Sequence, residues 1–307
     1  MIEHIIVLGA GAIGGIYAAK LAAGCDVTVV ARREHADAIN AGGLRLVGHE
    51  EMTARVPAVT AVRSIAPRTL VVLSTKVNDN RAAAEGIADK IQDDTVILCV
   101  QNGLGGEDIV KEAVGGRCVV LRAITHFGGI FRTPGVVEFK VAGNTLIEQS
   151  PRSAEIADLF STCGLDGRLS DSIKVDIWRK LVINCVINPV TAIVGSDVGG
   201  IANAGLNPLK QLVVGECLEV ARADGVRFDL DFVATIDRVF ASSPNIASMR
   251  QDLLKGRPTE IDHLNGAVVD LGRRFGIACP VNGALVAIIK ALERPTTEDA
   301  GDTEVRS

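Results

Sequence analysis

Lys180, Asn184 and Asn188 stand four residues apart in the run Trp178-Arg179-Lys180-Leu181-Val182-Ile183-Asn184-Cys185-Val186-Ile187-Asn188-Pro189. One ammonium and two amides thus interrupt an otherwise apolar segment. In an α-helix each step of four residues advances about 40° around the axis, so the three side chains share a sector of roughly 80°. Placing them among Leu, Val and Ile is unfavourable unless each has something to bind. A developing oxyanion is one such partner, because an ammonium can stabilise the charge and then protonate it while amides hold neighbouring oxygens. The alternative is a buried lysine paired with a carboxylate for structural reasons.

A second constellation opens the chain. Gly9-Ala10-Gly11-Ala12-Ile13-Gly14 follows an apolar strand pattern at residues 4–8 and precedes an Ala-rich helix reaching to about Ala23. In a G-x-G-x-x-G turn the first glycine permits the tight turn, the second admits a pyrophosphate close to the backbone, and the third lets helix and strand pack. The helix N-terminus then offers free N–H groups and partial positive charge to the phosphates. The second strand, residues 26–31, ends in Ala31-Arg32-Arg33 rather than in the Asp or Glu that commonly receives ribose hydroxyls. Arg32 is placed to grip a 2′-phosphate through forked bonds, which selects NADP(H); two solvated surface arginines are the alternative. Two further turns, Ser74-Thr75-Lys76 and Gln101-Asn102-Gly103, follow apolar strands, and residues at such strand ends face the ligand crevice. Lys76 and Asn102 can therefore touch the nicotinamide ribose or the substrate, or be an exposed loop lysine and a left-handed Asn-Gly turn residue.

The elements that position these groups divide the chain. Strand patterns at 4–8, 26–31, 70–74, 96–100 and 118–121 alternate with helical stretches such as 80–91 and 107–114, which predicts a doubly wound parallel sheet covered on both faces. Residues 44–60 and 135–149 read as shorter antiparallel strands. From about Ser172 apolar residues recur at helical spacing through 173–194, 207–224, 229–241, 246–255 and 260–275, with Pro208, Pro244, Pro258 and Pro280 where helices begin. A boundary near Asp171 therefore separates an α/β domain, 1–171, from an all-helical domain, 172–307, whose polar end, 295–307, reads as a frayed tail.

At 307 residues the chain is long enough for two such domains. Its net charge of −5 leaves no basic footprint for nucleic acid, and no Lys/Arg cluster alternates with aromatics. Seven scattered cysteines without a Cys-x-x-Cys pair read as reduced thiols of a cytoplasmic protein, and five histidines show no metal-ligand spacing. Residues 5–19 imitate the apolar part of a signal peptide. They follow Glu3 and His4 rather than basic residues and are broken by glycines, so no targeting segment is expected. No later run reads as long and clean enough to span a bilayer. A homodimer is compatible with the sequence.

Taken together, the glycine turn, Lys76, Gln101-Asn102-Gly103, Lys180-x-x-x-Asn184-x-x-x-Asn188-Pro189, Ser248-Met249-x-x-Asp252 and Gly256-Arg257-x-Thr259-Glu260-Ile261-Asp262-x-x-Asn265-Gly266 resemble the ketopantoate reductase (2-dehydropantoate 2-reductase) family, over about residues 3 to 292. The resemblance implies a Rossmann domain, a helical domain, and an active site in the cleft between them. It also implies NADPH-dependent reduction of ketopantoate, a small 2-oxo acid, to pantoate on the way to pantothenate and coenzyme A. By the same resemblance Lys180 is the general acid and Glu260 acts with it, while Asn184, Asn245 and Ser248 bind the substrate's hydroxyl and carboxylate. Asn188 joins them as the last member of the helical stripe. Asn102 contacts cofactor and substrate, and Lys76 lines the cleft. Capping of following helices by Ser243 or Thr259 would explain part of the same composition. The chain departs from the family pattern around residues 123–131, where the Thr125-His126 pair fits but the residues after it are more apolar than expected, and at Glu138, where a His is frequent. Those departures bear on substrate identity. Another branched 2-oxo acid, a related 3-hydroxyacid or opine-type dehydrogenation, and a non-catalytic NADP-binding sensor are the rival readings.

Overall fold

The computed structural model describes residues 1–293, so the 295–307 stretch lies outside the described residues. The chain forms two compact units, Met1–Asp176 and Ile177–Ser307. The division falls in the first turn of a long helix, slightly beyond Asp171.

In chain order the first unit runs β1 (His4–Leu8), α1 (Ala12–Leu21), β2 (Asp26–Val30), α2 (Arg33–Gly42), β3 (Leu44–Gly48), β4 (Met52–Ala54), β5 (Ala58–Val59), β6 (Thr69–Leu73) and α3 (Asn80–Ala88). It continues with β7 (Val96–Cys99), α4 (Gly106–Val114), β8 (Val119–Thr125), β9 (Gly128–Thr133), β10 (Val136–Val141), β11 (Thr145–Ile147), α5 (Ser153–Thr162) and β12 (Gly167–Leu169). The main sheet has the order β12-β11-β8-β7-β6-β1-β2-β5. All neighbours from β5 to β8 are parallel, β11 joins β8 antiparallel, and β12 lies parallel to β11. The strand order, not the strand direction, reverses between β1 and β6, the switch point at which doubly wound sheets open a ligand crevice.

Period-two alternation explains how both faces are filled. Ile5, Val7, Leu70, Val72, Val96 and Leu98 enter the core shared with α1. Ile6, Leu8, Val71, Leu73, Ile97 and Cys99 enter the opposite core with Ala84, Ile87, Val110 and Val114 of α3 and α4. Burial there pushes the Cys99 thiol up to about 12, as expected for an inert core cysteine. All seven cysteines are free.

A second sheet, β4-β3-β10-β9, lies on the other side of α1. A Cβ at Gly15 would come within 2.7 Å of Val137 Cγ2, and one at Gly129 within 2.7 Å of Ile16 Cδ1. Helix α1 is thus held between two sheets, which is why it is apolar all round. Its Tyr17 hydroxyl sits 2.7 Å from Thr125 Oγ1 and 3.0 Å from Thr145 Oγ1.

The antiparallel expectation for residues 44–60 and 135–149 needs correction. β3 pairs antiparallel with β4, and β10 with β9, but β3 and β10 pair parallel with each other. β5 leaves this group and extends the main sheet beside β2, also parallel. Alternation reports which face is buried; it carries no information on strand direction.

His35 of α2 links that helix to the second sheet by accepting the Gly135 N–H at Nδ1, 2.9 Å away. The bond needs the neutral ring, and burial holds the His35 pKa below its ordinary 6.5. The unfolded chain therefore binds this proton more readily than the folded one. The stabilisation is present above about pH 6.5 and is lost as pH falls below it. His35→Asn keeps an acceptor without the titration. Between about pH 8 and about pH 5 the wild type should lose more thermal stability than this variant; equal losses would show that His35 does not titrate against the fold.

Among its described residues the second unit contains helices joined by irregular chain and no strand. It comprises α6 (Ile173–Val194, begun in the first unit), α7 (Asn207–Ala223), α8 (Phe232–Phe240), α9 (Ser248–Leu254), α10 (Asn265–Phe275) and α11 (Pro280–Leu292). Pro208 and Pro280 stand in the first turns of α7 and α11, as expected. Pro244 and Pro258 instead lie in irregular chain before α9 and before a single 3₁₀ turn, Ile261–His263. Helices α7, α10 and α11 pack on one another. Helix α6 is 22 residues long and holds an 18-residue window of mean hydropathy 1.4, enough by length and composition alone to cross a bilayer, contrary to the expectation that no run would be. Its apolar window is 61% buried within the protein and the helix carries Asp176, Lys180 and two asparagines, so its hydropathy is that of a core helix.

Candidate active site

The glycine turn lies at the switch point. Gly9 takes φ 98°, and its amide donates to Val30 O at 3.1 Å while Ser74 Oγ donates to its carbonyl at 2.5 Å. The turn is therefore fastened to both strands flanking β1. A Cβ at Gly14 would lie 1.9 Å from Gly9 O, so the third glycine is required by packing alone. At Gly11 the result is opposite: no atom comes within 4 Å of an added Cβ. Nothing in the protein demands a glycine there, and the space above it is open. Gly11 caps α1 without a side chain, so Gly11, Ala12 and Ile13 begin a helix whose N-terminal field is free to meet an anion. Ala10 is buried beneath the turn. These features fit a dinucleotide pyrophosphate.

Three more expected residues stand at carboxyl ends of parallel strands in the same unit. Arg32 follows β2, is exposed, and makes no ion pair among the described residues. Lys76 follows β6 and caps a 3₁₀ turn, half-buried. Asn102 follows β7, also half-buried; the left-handed residue of that turn is Gly103, φ 86°, not Asn102.

Beneath Asn102 lies a buried polar platform that sequence reading missed. Arg122, 3% exposed, donates from Nη2 to both Gln101 O (2.5 Å) and Gly103 O (2.9 Å), gripping the carbonyls on either side of Asn102. Glu107 Oε2 stands 3.6 Å from Arg122 Nε and supplies the opposing charge. Asn80 Oδ1 receives Thr75 Oγ1 at 2.8 Å and Gln101 Nε2 at 2.9 Å, joining the Lys76 turn to the Asn102 turn. A charged residue inside the apolar strand Val119–Thr125 was the available signal.

The departures at 123–131 and 138 have a local explanation. Ala123, Ile124 and Phe127 are buried core residues, and Phe127 packs edge-on against Tyr17. Glu138 pairs across the β9–β10 hairpin with Arg132 and lies 3.0 Å from Lys140 Nζ. Burial opposes its ionisation, yet the bonds from Lys140 and Arg132 outweigh it and hold the carboxyl below its ordinary value.

In the second unit α6 is continuous through residues 180, 184 and 188, so the expected sector exists. Lys180 and Asn184 are half-buried, whereas Asn188 is 7% exposed and sits deeper. Pro189 lies inside the helix. Lacking an N–H, it leaves the carbonyl four residues earlier, Cys185, without its helical donor. An unpaired buried carbonyl costs about 1–3 kcal/mol. Asn265 repairs it, donating from Nδ2 at 3.0 Å to Cys185 O and at 2.9 Å to Asn282 Oδ1. Asn282 in turn donates to Glu216 Oε2 at 2.7 Å. Asn282 was missed as well, although an amide in the apolar run opening α11 is the same signal that singled out Asn184.

Glu260, half-buried, precedes the 3₁₀ turn Ile261–His263. Beside it Thr259 donates from both backbone N (2.9 Å) and Oγ1 (2.7 Å) to Glu293 Oε1, and its Oγ1 receives the Ile261 N–H at 3.3 Å. Asn245 is half-buried, its Nδ2 3.3 Å from Ser243 Oγ and its carbonyl receiving the Val198 N–H at 2.7 Å. Ser248 is exposed at the first position of α9. Each unit therefore gathers its own set: Gly9 to Gly14, Arg32, Lys76 and Asn102 along one sheet edge, and Lys180, Asn184 and Asn188 along one helix, with Glu260, Asn245 and Ser248 on separate segments.

A Rossmann-type dinucleotide-binding unit followed by an all-helical unit bearing a lysine–amide stripe defines a class of two-domain oxidoreductases. Residues 5–152 match the family Ketopantoate reductase PanE/ApbA, and residues 172–293 match Ketopantoate reductase PanE/ApbA C terminal. The chain belongs to the ketopantoate reductase family. It is 34% identical over 297 residues to a 2-dehydropantoate 2-reductase of Pyrococcus horikoshii, covering 94% of this chain and 97% of that one. The corresponding protein of Halobacterium salinarum is 33% identical over 304 residues, covering 95% and 99%. Among solved structures, a PanE/ApbA family ketopantoate reductase from Ralstonia eutropha JMP134 superposes with a TM-score of 0.88 at 32% identity, covering 95% of this chain and 98% of that one. A D-mandelate dehydrogenase in ternary complex with NADH and anilino(oxo)acetate also reaches 0.88, at 27% identity and the same coverage.

Proposed function

We propose that this protein reduces a 2-oxo acid at the expense of NADPH, with ketopantoate as substrate and pantoate as product, a step toward pantothenate and coenzyme A. The observation that carries the proposal is the half-buried Lys180, one turn from Asn184 on a continuous helix, in a chain whose other unit leaves open space over Gly11.

The nicotinamide, when bound, supplies a hydride to the carbonyl carbon. The turn from Gly9 to Gly14 holds the pyrophosphate with backbone N–H groups and the α1 dipole. Arg32 pairs with the 2′-phosphate, and Lys76 and Asn102 hold the nicotinamide ribose or the substrate. Negative charge gathers on the substrate's carbonyl oxygen as the carbon is reduced. Lys180, as the ammonium, stabilises that charge and gives the oxygen a proton, leaving a neutral amine that solvent reprotonates. Glu260 acts beside Lys180 and helps hold cofactor or substrate. Asn184, Asn188, Asn245 and Ser248 receive the carboxylate and the hydroxyl.

Support for ketopantoate comes from relatives named 2-dehydropantoate 2-reductase over almost the full chain. A second reading, reduction of a bulkier or aromatic 2-oxo acid with NADH, is favoured by the likeness to D-mandelate dehydrogenase. Oxidation of NADPH and of NADH measured with ketopantoate and with an aryl 2-oxo acid separates the two. We expect the highest kcat/KM for ketopantoate with NADPH. A preference for the aryl acid would support the second reading, and binding of NADPH without turnover of any 2-oxo acid would leave only a sensor.

Arg32→Glu tests the cofactor assignment. It should raise the NADPH KM about ten- to hundred-fold, the worth of one or two charge-assisted bonds, and change the NADH KM far less. Parallel changes would remove Arg32 from the 2′-phosphate.

A further inference from the structure

We propose that Asn265 is a positioning residue for the reduction: it fixes the Glu260 segment against the helix that carries Lys180 and Asn184. The proposal rests on the roles given above to those three residues. Pro189 withholds the donor that would satisfy Cys185 O inside α6, and Cys185 directly follows Asn184. The vacant acceptor is taken by Asn265 Nδ2 at 3.0 Å. Asn265, fully buried, opens α10 and lies one short turn beyond Glu260. A break in helical bonding and the amide that fills it thus join the two segments that bear the proposed catalytic groups.

The remainder of the network makes the joint rigid. Asn265 Nδ2 also donates to Asn282 Oδ1, whose own Nδ2 donates to Glu216 Oε2 on α7. The Glu216 carboxylate receives the backbone N–H groups of Val281 (2.8 Å) and Asn282 (2.9 Å), so it caps α11 as well. On the other flank of Glu260, Thr259 is tied to Glu293 by two bonds to one oxygen. Lys290 Nζ stands 2.5 Å from Asp262 Oδ2 and fastens the turn between them to α11. Glu260 is therefore bracketed, and Asn265 provides a tie to α6. A catalytic acid and its partner must keep their spacing closely; a misplacement of about 1 Å can cost as much as a hundred-fold in rate.

The same geometry supplies a test that separates positioning from mere repair of a carbonyl. In Pro189→Ala the new N–H can satisfy Cys185 O from within α6, so loss of the Asn265 amide no longer strands that acceptor. We therefore compare Asn265→Ala with wild type, and Pro189→Ala/Asn265→Ala with Pro189→Ala, measuring kcat, KM, NADPH affinity and the urea midpoint. Assays are run well below each variant's unfolding transition. The expected result is a kcat lowered by about ten- to hundred-fold in both comparisons, with NADPH affinity unchanged. A kcat in the double variant equal to that of Pro189→Ala overturns the proposal, since the amide would then serve only the stranded carbonyl. A wild-type kcat in Asn265→Ala overturns it equally. Should the single variant fail to fold, the double variant, whose Cys185 carbonyl has a donor, decides alone. Absence of turnover in the wild type would instead refute the reductase assignment, a result distinct from either.

Discussion

Lys180→Ala should lower kcat by about a hundred- to a thousand-fold, the usual worth of one preorganised donor to a developing oxyanion, and leave NADPH affinity almost unchanged. The split follows from where Lys180 stands. It belongs to α6 in the helical unit, whereas the glycine turn, Arg32, Lys76 and Asn102 belong to the first unit. Removing its ammonium takes away both the charge that stabilises the alkoxide and the proton that ends the reaction. A structural lysine would behave otherwise, with lowered stability and an unaltered rate per folded molecule. Lys180→Arg refines the test, because a guanidinium keeps the charge but surrenders its proton far less readily. It should recover substrate affinity more than turnover. Retained turnover in Lys180→Ala would dismiss this residue as the acid.

The second large effect is expected at Gly11. With no atom of a neighbouring segment within 4 Å of an added Cβ, Gly11→Val should still fold, losing only the roughly 1 kcal/mol that an apolar residue costs at the N-cap of α1. The same side chain would occupy the space a pyrophosphate needs, so dinucleotide affinity should fall by about a hundred-fold or more, several charge-assisted bonds being lost together. Gly14→Ala should behave in the reverse order. Its Cβ would meet Gly9 O at 1.9 Å, so the fold itself must give way and the thermal midpoint drops. Titration of cofactor fluorescence beside thermal unfolding reads both quantities. Equal stability losses in the two variants, or undiminished affinity in Gly11→Val, would mean that the opening above Gly11 is not a phosphate site.

Much of the architecture could be read from local pattern. The run His4–Leu8, the glycines and the next strand have a spacing that the β1-α1-β2 unit reproduces, because turn geometry and period-two burial are encoded within a few residues. The stripe at 180, 184 and 188 was legible for the same reason. What escaped was long-range. Nothing near residue 44 says that β3 will lie parallel to β10, since direction depends on a partner some ninety residues away. Arg122 reads as an oddity in a strand until the turn after β7 supplies its two carbonyls. Asn265 could be quoted as part of a motif, but its task is set by Pro189 through a bond spanning 80 residues. Helical spacing after Pro244 and Pro258 predicts helix starts at both prolines. Proline at those places is equally at home in the irregular chain ahead of α9 and of the 3₁₀ turn.

The most direct measurement uses NADPH carrying deuterium on one or the other face of nicotinamide C4, with ketopantoate as acceptor and the product examined by mass spectrometry. Direct hydride delivery predicts pantoate with one deuterium on its carbinol carbon from one labelled form and none from the other, and strongly reduced product with Lys180→Ala. Product free of deuterium from both forms, or bound NADPH that no 2-oxo acid oxidises, would contradict it.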